Sequence, residues 1–256
     1  MNGTEKFELL LKEIATRQIP LCIDSRKAVP GSIFVAMHGT HANGAVYIAD
    51  AIRNGASTIV CPPEDALSVT GATVIPVTNP RLAAARLAAA RWNTDSLPFP
   101  LVGVTGTNGK TTCTYLLEHL FTACGKPAGV IGTIAVRWPG YSMPASMTTP
   151  DIPDLHSILA SMRSAGVQAA AMEVSSHALD QDRAAYIPFS SAVFTNLTQD
   201  HLDYHKTFEA YYAAKARLFL EMPKQNKSAA VGTDGSWGRR LAADIANSSK
   251  DTSRLI

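Results

Sequence analysis

Val104-Thr105-Gly106-Thr107-Asn108-Gly109-Lys110-Thr111-Thr112 is the stretch on which the fold of this chain turns. The run Leu-Val-Gly-Val at 101–104 before it reads as a buried strand, and residues 110–123 after it have helical spacing. Gly106 and Gly109 let backbone N–H groups turn inward between the two. The helix that follows points its positive N-terminus at the same spot, which suits a phosphate. In such a turn Lys110 reaches β- and γ-phosphates, and the Thr111 hydroxyl is placed to ligate Mg²⁺. The complete P-loop pattern asks for a glycine where this chain has Val104, so the match is to GxxGKT. An ordinary glycine-rich strand-to-helix turn is the competing reading. The Lys-Thr pair in register with the helix start favours phosphate.

Strand and helix signals alternate on both sides of this loop. Residues 5–16 carry Phe7, Leu10, Leu11 and Ile14 at the spacing of one helical face. Short β-branched runs at 21–23, 33–36, 57–61 and 73–77 are bounded by Gly, Pro or Asn, with helical stretches at 45–54 and 81–92 between and after them. Residues 93–100, Asn-Thr-Asp-Ser-Leu-Pro-Phe-Pro, break both periodicities. A domain boundary is placed there, giving an α/β module over 1–95 and a second domain over 98–256. In the second, AGVIG, AAAMEV and SAVFTNL read as fully buried strands of a mostly parallel sheet, with helices near 152–165 and 208–220. Residues 228–231 are a further strand candidate, and a polar tail follows.

Three more clusters fall near strand ends. In Met172-Glu173-Val174-Ser175-Ser176-His177, Glu173 closes an apolar strand, where an acidic group is costly to bury without a cation or a donor. It is a candidate Mg²⁺ ligand, and a capping or surface carboxylate is the alternative. Residues 194–205 offer His201, Asp203 and His205 together, for metal ligation, proton transfer or substrate binding; a His-Asp-His transition-metal hydrolase is a further alternative. On the helical stretch 211–219, Lys215 lies among aromatic residues, and a snorkelling stem is its first reading.

Composition limits the field. Of 256 residues 46% are hydrophobic and 17% charged, which excludes a disordered chain. Lys and Arg total 23 against 21 Asp and Glu, a net charge of +2 with no basic run. A nucleic-acid partner is therefore not expected. No segment has the length of a membrane span or the layout of a signal peptide, so no membrane partner and a cytoplasmic location are expected. Cys22, Cys61, Cys113 and Cys124 form no CxxC pair and are expected to be reduced thiols, mostly buried.

Taken together, GTNGKTT, EVSSHAL, TNLTQDHLDYH and YYAAKARLF, in this order and spacing, resemble the Mur ligase family of peptidoglycan synthesis. Asp24-Ser25-Arg26 with the following Val29–Met37, and Met147-Thr148-Thr149-Pro150, are similar to further motifs of that family. The resemblance implies an N-terminal UDP-substrate-binding module and a central P-loop-type domain with ATP and Mg²⁺ as cofactors. By the same resemblance Ser25 and the turn Thr40, His41, Ala42 contact the UDP moiety. Gly106, Thr107, Asn108, Gly109, Lys110, Thr111 and Thr112 hold the ATP phosphates. Thr148, Thr149, Ser175, Gln181 and Arg183 bind a UDP-muramoyl-dipeptide. Glu173 and His201 ligate magnesium with Thr111 nearby, and Lys215 is the lysine that the family carbamylates, adding an anionic ligand for a second Mg²⁺. Lys110, Glu173, His201 and Lys215 are then the catalytic set. The implied reaction is ATP-dependent addition of a third amino acid, diaminopimelate or lysine, through an acyl phosphate, by an expected monomer acting on small molecules.

Departures from the family pattern carry their own expectations. Members have about twice this length, with a third domain that closes over ATP and selects the amino acid, so the chain is expected to be truncated inside its second domain, and a non-catalytic fragment that only binds UDP-sugar or nucleotide is the alternative. Residues 229–238, AAVGTDGSWG, stand where relatives show Asn-x-Asp-Asp, and Met147 stands where some have Asn.

Overall fold

A computed structural model describes residues 3–39, 43–221 and 228–248. By contacts the chain divides into two compact units, one of residues 1–95 with 152–157 and one of 96–151 with 158–256.

The first unit is built on a four-stranded parallel sheet in the order β1-β2-β3-β4. Its elements are α1 (Gly3–Arg17), β1 (Leu21–Cys22), β2 (Ile33–Val35), α2 (Ile48–Arg53), β3 (Thr58–Cys61), α3 (Pro63–Ala66), β4 (Thr73–Pro76) and α4 (Pro80–Trp92). Phe34, Ala51, Ile59 and Cys61 pack as one core cluster. Of the predicted face of α1, Phe7, Leu10 and Ile14 are buried and Leu11 is half-buried. The Asn79 side chain caps α4 by accepting from Leu82 N, and the chain leaves α4 through Asn93 in the left-handed region. The expected helix over 45–54 is split. A 3₁₀ turn over Gly44–Tyr47, opened by the Asn43 side chain, precedes α2.

The second unit holds seven strands in the order β11-β10-β5-β9-β6-β7-β8. In chain order it comprises β5 (Leu101–Thr105), α5 (Lys110–Ala123), β6 (Ala128–Ile131), β7 (Ala135–Trp138), β8 (Tyr141–Pro144), α6 (Ile152–Ser164), β9 (Ala169–Glu173), α7 (Ser176–Asp180), β10 (Ser191–Phe194), α8 (Leu202–His205), α9 (Phe208–Leu220), β11 (Ser228–Val231) and α10 (Ser236–Ser248). The first turns of α6 belong by contacts to the first unit. Strands β11, β10, β5, β9 and β6 are parallel, while β7 and β8 add an antiparallel hairpin. After β5 the chain crosses to β6 and back to β9, and only later passes to β10 on the other side. The switch in winding direction therefore falls beside β5, where open α/β sheets place their ligands at the carboxyl ends of the strands.

Three sequence expectations are corrected. The β7–β8 hairpin was not foreseen, because four-residue strands with Arg, Ser and Pro lack an apolar signature. The polar tail is helical as far as Ser248, since Trp237, Leu241 and Ile245 recur every four residues and pack on the β10–α9 core. Strand β10 is not buried throughout, with Ser191 and Val193 only half-buried. All four cysteines are free. Cys22 and Cys61 are buried, whereas Cys113 is half-buried and Cys124 exposed.

The break at 93–100 is packed rather than slack at its ends. Thr94 is fully buried in the first unit, where its hydroxyl lies 2.5 Å from His156 Nδ1. Among the described residues His156 Nε2 has no partner, and burial pushes the imidazole pKa down to about 3. The unfolded chain takes up this proton near pH 6.5, so the stability present above pH 6.5 is lost as the pH falls toward 3. Replacing His156 by Leu should flatten this acid limb. Between pH 7 and pH 4 the parent should lose roughly 3 kcal/mol more than the variant, read from urea unfolding at the two pH values.

Candidate functional site

Strand β5 delivers the chain into the glycine turn, and α5 begins at Lys110. Gly106 has φ +146° and Gly109 φ +85°. A Cβ on Gly106 would stand 1.9 Å from Thr195 Oγ1, so only glycine allows this approach to the loop after β10. That loop lashes the turn in place. Thr107 N donates to Asn196 O at 2.9 Å, and Asn108 N donates to Asn196 Oδ1 at 3.0 Å. Thr195 Oγ1 donates to Asn108 O at 2.6 Å, and Thr198 N donates to Thr107 Oγ1 at 3.0 Å.

Two lysines converge on the same carbonyl. Lys110 Nζ donates to Gly106 O at 3.0 Å and to Thr107 O at 2.9 Å. Lys215 Nζ donates to Gly106 O at 2.8 Å from α9 and lies 4.6 Å above the Tyr211 ring, whose hydroxyl meets Thr107 Oγ1 at 3.1 Å. The snorkelling reading of Lys215 fails, since the residue is 1% exposed. Burial is the main cause that lowers its pKa, to about 7; the charge of Lys110 lowers it further, and Asp200 opposes both. Lys110 is also lowered by burial, against the pull of Glu173 and Asp200. These two groups form a lysine cradle around the Gly106 carbonyl.

Beside the cradle Glu173 is fully buried at the end of β9. Its Oε1 accepts from Thr111 Oγ1 at 2.8 Å and from Thr133 N at 2.9 Å, and its Oε2 accepts from Thr133 Oγ1 at 3.0 Å. The reading of Glu173 as a surface carboxylate is thereby excluded. Thr149 Oγ1 donates to Glu173 O and accepts from Ser175 N, while Ser175 Oγ caps α7. Arg183 donates to Thr149 O at 3.2 Å, holds Gln181 Oε1 through Nε and Nη2, and pairs with Asp151. Thr148, Thr149, Ser175, Gln181 and Arg183 are thus gathered around the carbonyl side of β9. Thr112, on the exposed side of α5, stands apart from these bonds.

His201 has φ +53° and opens α8, with Nε2 at 3.4 Å from Asp200 and its ring edge-on to His177 at 4.8 Å. The Thr111–Glu173 pair is directly bonded, whereas His201 makes its contacts with Asp200, His177 and Tyr211. The His-Asp-His grouping is not assembled, because residues 202–205 form a helical turn that sends Asp203 away from its neighbours two residues off. His205 instead faces Ser176 Oγ at 2.9 Å, with its pKa pushed down to about 4, chiefly by burial. Among the described residues no three His, Cys, Asp or Glu side chains converge to hold a metal. In the first unit Ser25 is buried behind the Asp24–Arg26 pair, and Asn54 Nδ2 donates to Ser25 O. Thr40, His41 and Ala42 lie outside the described residues.

Sequence reasoning missed Thr133, Thr195, Asn196 and Thr198 as members of this site. The last three stood inside the quoted TNLTQDH run, and their polar residues straight after a buried strand were the signal. Thr133 follows Gly132, where a Cβ would meet Glu173 Oε1 at 2.3 Å, and nothing local marks that long-range approach.

Comparison with known proteins follows the same lines. The Mur ligase middle domain signature matches residues 104–254, and the Mur ligase family, catalytic domain signature matches residues 21–92. The chain is 51% identical over 236 residues to a UDP-N-acetylmuramoyl-L-alanyl-D-glutamate–2,6-diaminopimelate ligase of Lawsonia intracellularis, covering 92% of this chain and 49% of that protein. A ligase of the same name from Geobacter sulfurreducens is 43% identical over 232 residues, covering 88% and 45%. A solved structure of a protein with that name superposes with a TM-score of 0.79 at 29% identity, covering 93% of this chain and 47% of the other. The MurF ligase from Thermotoga maritima, solved in complex with ADP, shares the fold with a TM-score of 0.61 at 22% identity, covering 92% and 49%. The chain spans about half the length of the curated relatives it matches.

The buried lysine has a measurable cost. Its pKa near 7 in the folded state against 10.5 in the free side chain means that the unfolded chain binds the extra proton between these values. Stability is therefore reduced in full below pH 7 and regained as the pH rises toward 10.5. In CO₂-free buffer Lys215→Met should be more stable than the parent by about 2–4 kcal/mol at pH 7, and most of this difference should vanish by pH 10. Urea unfolding of both proteins at the two pH values measures it.

Proposed function

The chain belongs to the Mur ligase family, and from that premise we propose that it is the amino-terminal and central part of an ATP-dependent ligase that joins 2,6-diaminopimelate to UDP-N-acetylmuramoyl-L-alanyl-D-glutamate. The observation that carries this reading is the pairing of a two-lysine cradle with a buried carboxylate on the strand next to it. The names of its relatives support the substrates, all of them small molecules. The first unit, over 1–95, takes the UDP end through Ser25 and the 40–42 turn, and the second unit, over 98–256, takes ATP. The site is cytoplasmic in this proposal, where ATP is held; no helix of the described residues is long and apolar enough to cross a membrane.

In the proposed reaction the D-glutamyl carboxylate takes the γ-phosphoryl group of ATP, forming an acyl phosphate and ADP. The amine then attacks the acyl carbon, a C–N bond forms, and phosphate and a proton leave. The first-turn N–H groups of α5 and the ammonium of Lys110 orient the phosphates and offset the charge gathering on the transferred group. Thr148, Thr149, Ser175, Gln181 and Arg183 hold the dipeptide, with Arg183 supplying the cation that a carboxylate needs.

The donors present fit magnesium. A threonine hydroxyl and a carboxylate, already in contact at 2.8 Å, are hard oxygen ligands of the kind that Mg²⁺ takes. Thr111 and Glu173 would hold it, with His201 as a further ligand. When bound, the ion supplies a Lewis acid that neutralises phosphate oxygens. Lys215 contributes differently. A lysine amine with a pKa near 7 is partly neutral and can add CO₂, losing one proton as the N–C bond of a carbamate forms. The product is an anionic oxygen donor beside Gly106, suited to a second cation.

Thermal unfolding tests the reading on the 256-residue chain. At ligand concentrations 100 times Kd, ATP with Mg²⁺ should raise the midpoint by about 5–10 °C, and UDP-N-acetylmuramoyl-L-alanyl-D-glutamate should do the same. The nucleotide shift should need Mg²⁺ and disappear in Lys110→Ala. No shift with either ligand would sink the proposal.

A further inference from the structure

We infer that Thr133 is a positioning residue that couples the Glu173 carboxylate to Thr148, and that it fixes Thr148 as a hydrogen-bond acceptor toward the substrate. The inference deepens the proposed function and rests on it. Its basis is the run of hydroxyls that links the end of β9 to the 147–150 loop. Thr133 Oγ1 lies 3.0 Å from Glu173 Oε2 and 3.0 Å from Thr148 Oγ1, while Thr133 N holds Glu173 Oε1 at 2.9 Å. Thr111 Oγ1, from the first turn of α5, reaches the same Oε1 at 2.8 Å. One carboxylate thus connects the phosphate loop with the loop proposed to bind substrate.

Counting protons gives this chain a direction. Each hydroxyl has one proton to donate and lone pairs to accept with, whereas a carboxylate only accepts. Thr133 lies between a carboxylate and a hydroxyl, and the charged acceptor forms the stronger bond, so its proton goes to Glu173. The remaining contact, between Thr133 and Thr148, then has to be made with the proton of Thr148. Thr148 therefore turns its proton inward and presents lone pairs outward. The substrate group that meets it is a donor, an amide N–H or a sugar hydroxyl, and not a carboxylate. A charge fixed at Glu173 is in this way read as polarity two hydroxyls away.

The geometry that permits this is specific. Gly132 brings the backbone against Glu173 so closely that a Cβ there would lie 2.3 Å from Oε1. Thr133 itself is exposed, so its hydroxyl sits at the open side of the site rather than in the core. Replacing it by valine keeps the branched shape, removes the hydroxyl and leaves the backbone N–H in place.

Calorimetric titration of the 256-residue chain with UDP-N-acetylmuramoyl-L-alanyl-D-glutamate tests the coupling. Thr133→Val should weaken binding about tenfold, since Thr148 loses the acceptor that keeps its proton inward. Thr133→Ser should bind within about twofold of the parent. Thr148→Val should lose a similar factor, and the double variant should bind no more weakly than Thr148→Val by more than about twofold. Thr133→Val takes the hydroxyl donor from the buried Glu173 Oε2, so its ligand-free thermal midpoint should fall by about 2–8 °C, while those of Thr133→Ser and Thr148→Val should stay within about 2 °C of the parent. Tighter binding by Thr133→Val would mean that Thr148 donates to a substrate acceptor, and would overturn the assigned polarity. Equal binding by Thr133→Val, losses that simply add in the double variant, or loss of its cooperative unfolding transition would overturn the coupling while leaving the proposed function standing. A parent chain that fails to bind the dipeptide would overturn both.

Discussion

The approach of the turn after β5 to the loop after β10 is the constraint on which the site is built. A Cβ at Gly106 would fall 1.9 Å from the Thr195 hydroxyl, so the two strand ends close up only because a hydrogen atom stands there. Once they do, Thr107 and Asn108 are pinned by backbone and side-chain groups of residues 195–198. The carbonyl of Gly106 is left facing α9 and the start of α5, where two lysines meet it. The sheet order makes this possible, because β10 and β9 flank β5 on opposite sides and bring their carboxyl ends to the same edge.

Bringing two lysine amines to one carbonyl inside a packed unit is unfavourable: burial lowers the pKa of both, and the charge of Lys110 lowers that of Lys215 further. In the proposed function a phosphate supplies Lys110 with the opposite charge, while Lys215 is the partly neutral amine that adds CO₂. Under that proposal the cost of burying Lys110 is recovered when phosphate binds. This is the sense in which active sites trade stability for preorganisation.

Much of this was legible in the sequence because it is local. Gly106, Gly109, Lys110 and Thr111 announce themselves through spacing alone, and the strands at 101–105, 128–131 and 169–173 through short β-branched or alanine-rich runs. What was not legible depends on groups distant in the chain. Lys215 looks like any helical lysine until Gly106, more than a hundred residues earlier, is seen to receive it. Thr133 has no motif at all, and its role comes from the fold bringing β6 beside β9. The hairpin β7–β8 escaped because edge strands need little apolar character, and α10 because an amphipathic face of three residues is easily lost in a polar stretch. The His201–His205 segment misled for the opposite reason: a spacing of two suggests a shared face only in a strand, and the segment is helical.

The choice of partners for Glu173 explains how both signs of charge can coexist in the site. Among the described residues no ion pair within 4 Å joins Glu173 to Lys110 or Lys215; the carboxylate is held instead by hydroxyls and a backbone amide. A direct salt bridge would have satisfied the carboxylate and cancelled the cradle in one step, leaving neither for a ligand. Neutral donors satisfy the buried oxygens without spending the charge. In the proposed function Lys110 then stays available to phosphate, and the carboxylate to a cation that arrives with it. Thr111 stands at the join of the two halves, since its hydroxyl already touches the carboxylate while its backbone lies in the first turn of α5, straight after the glycine turn.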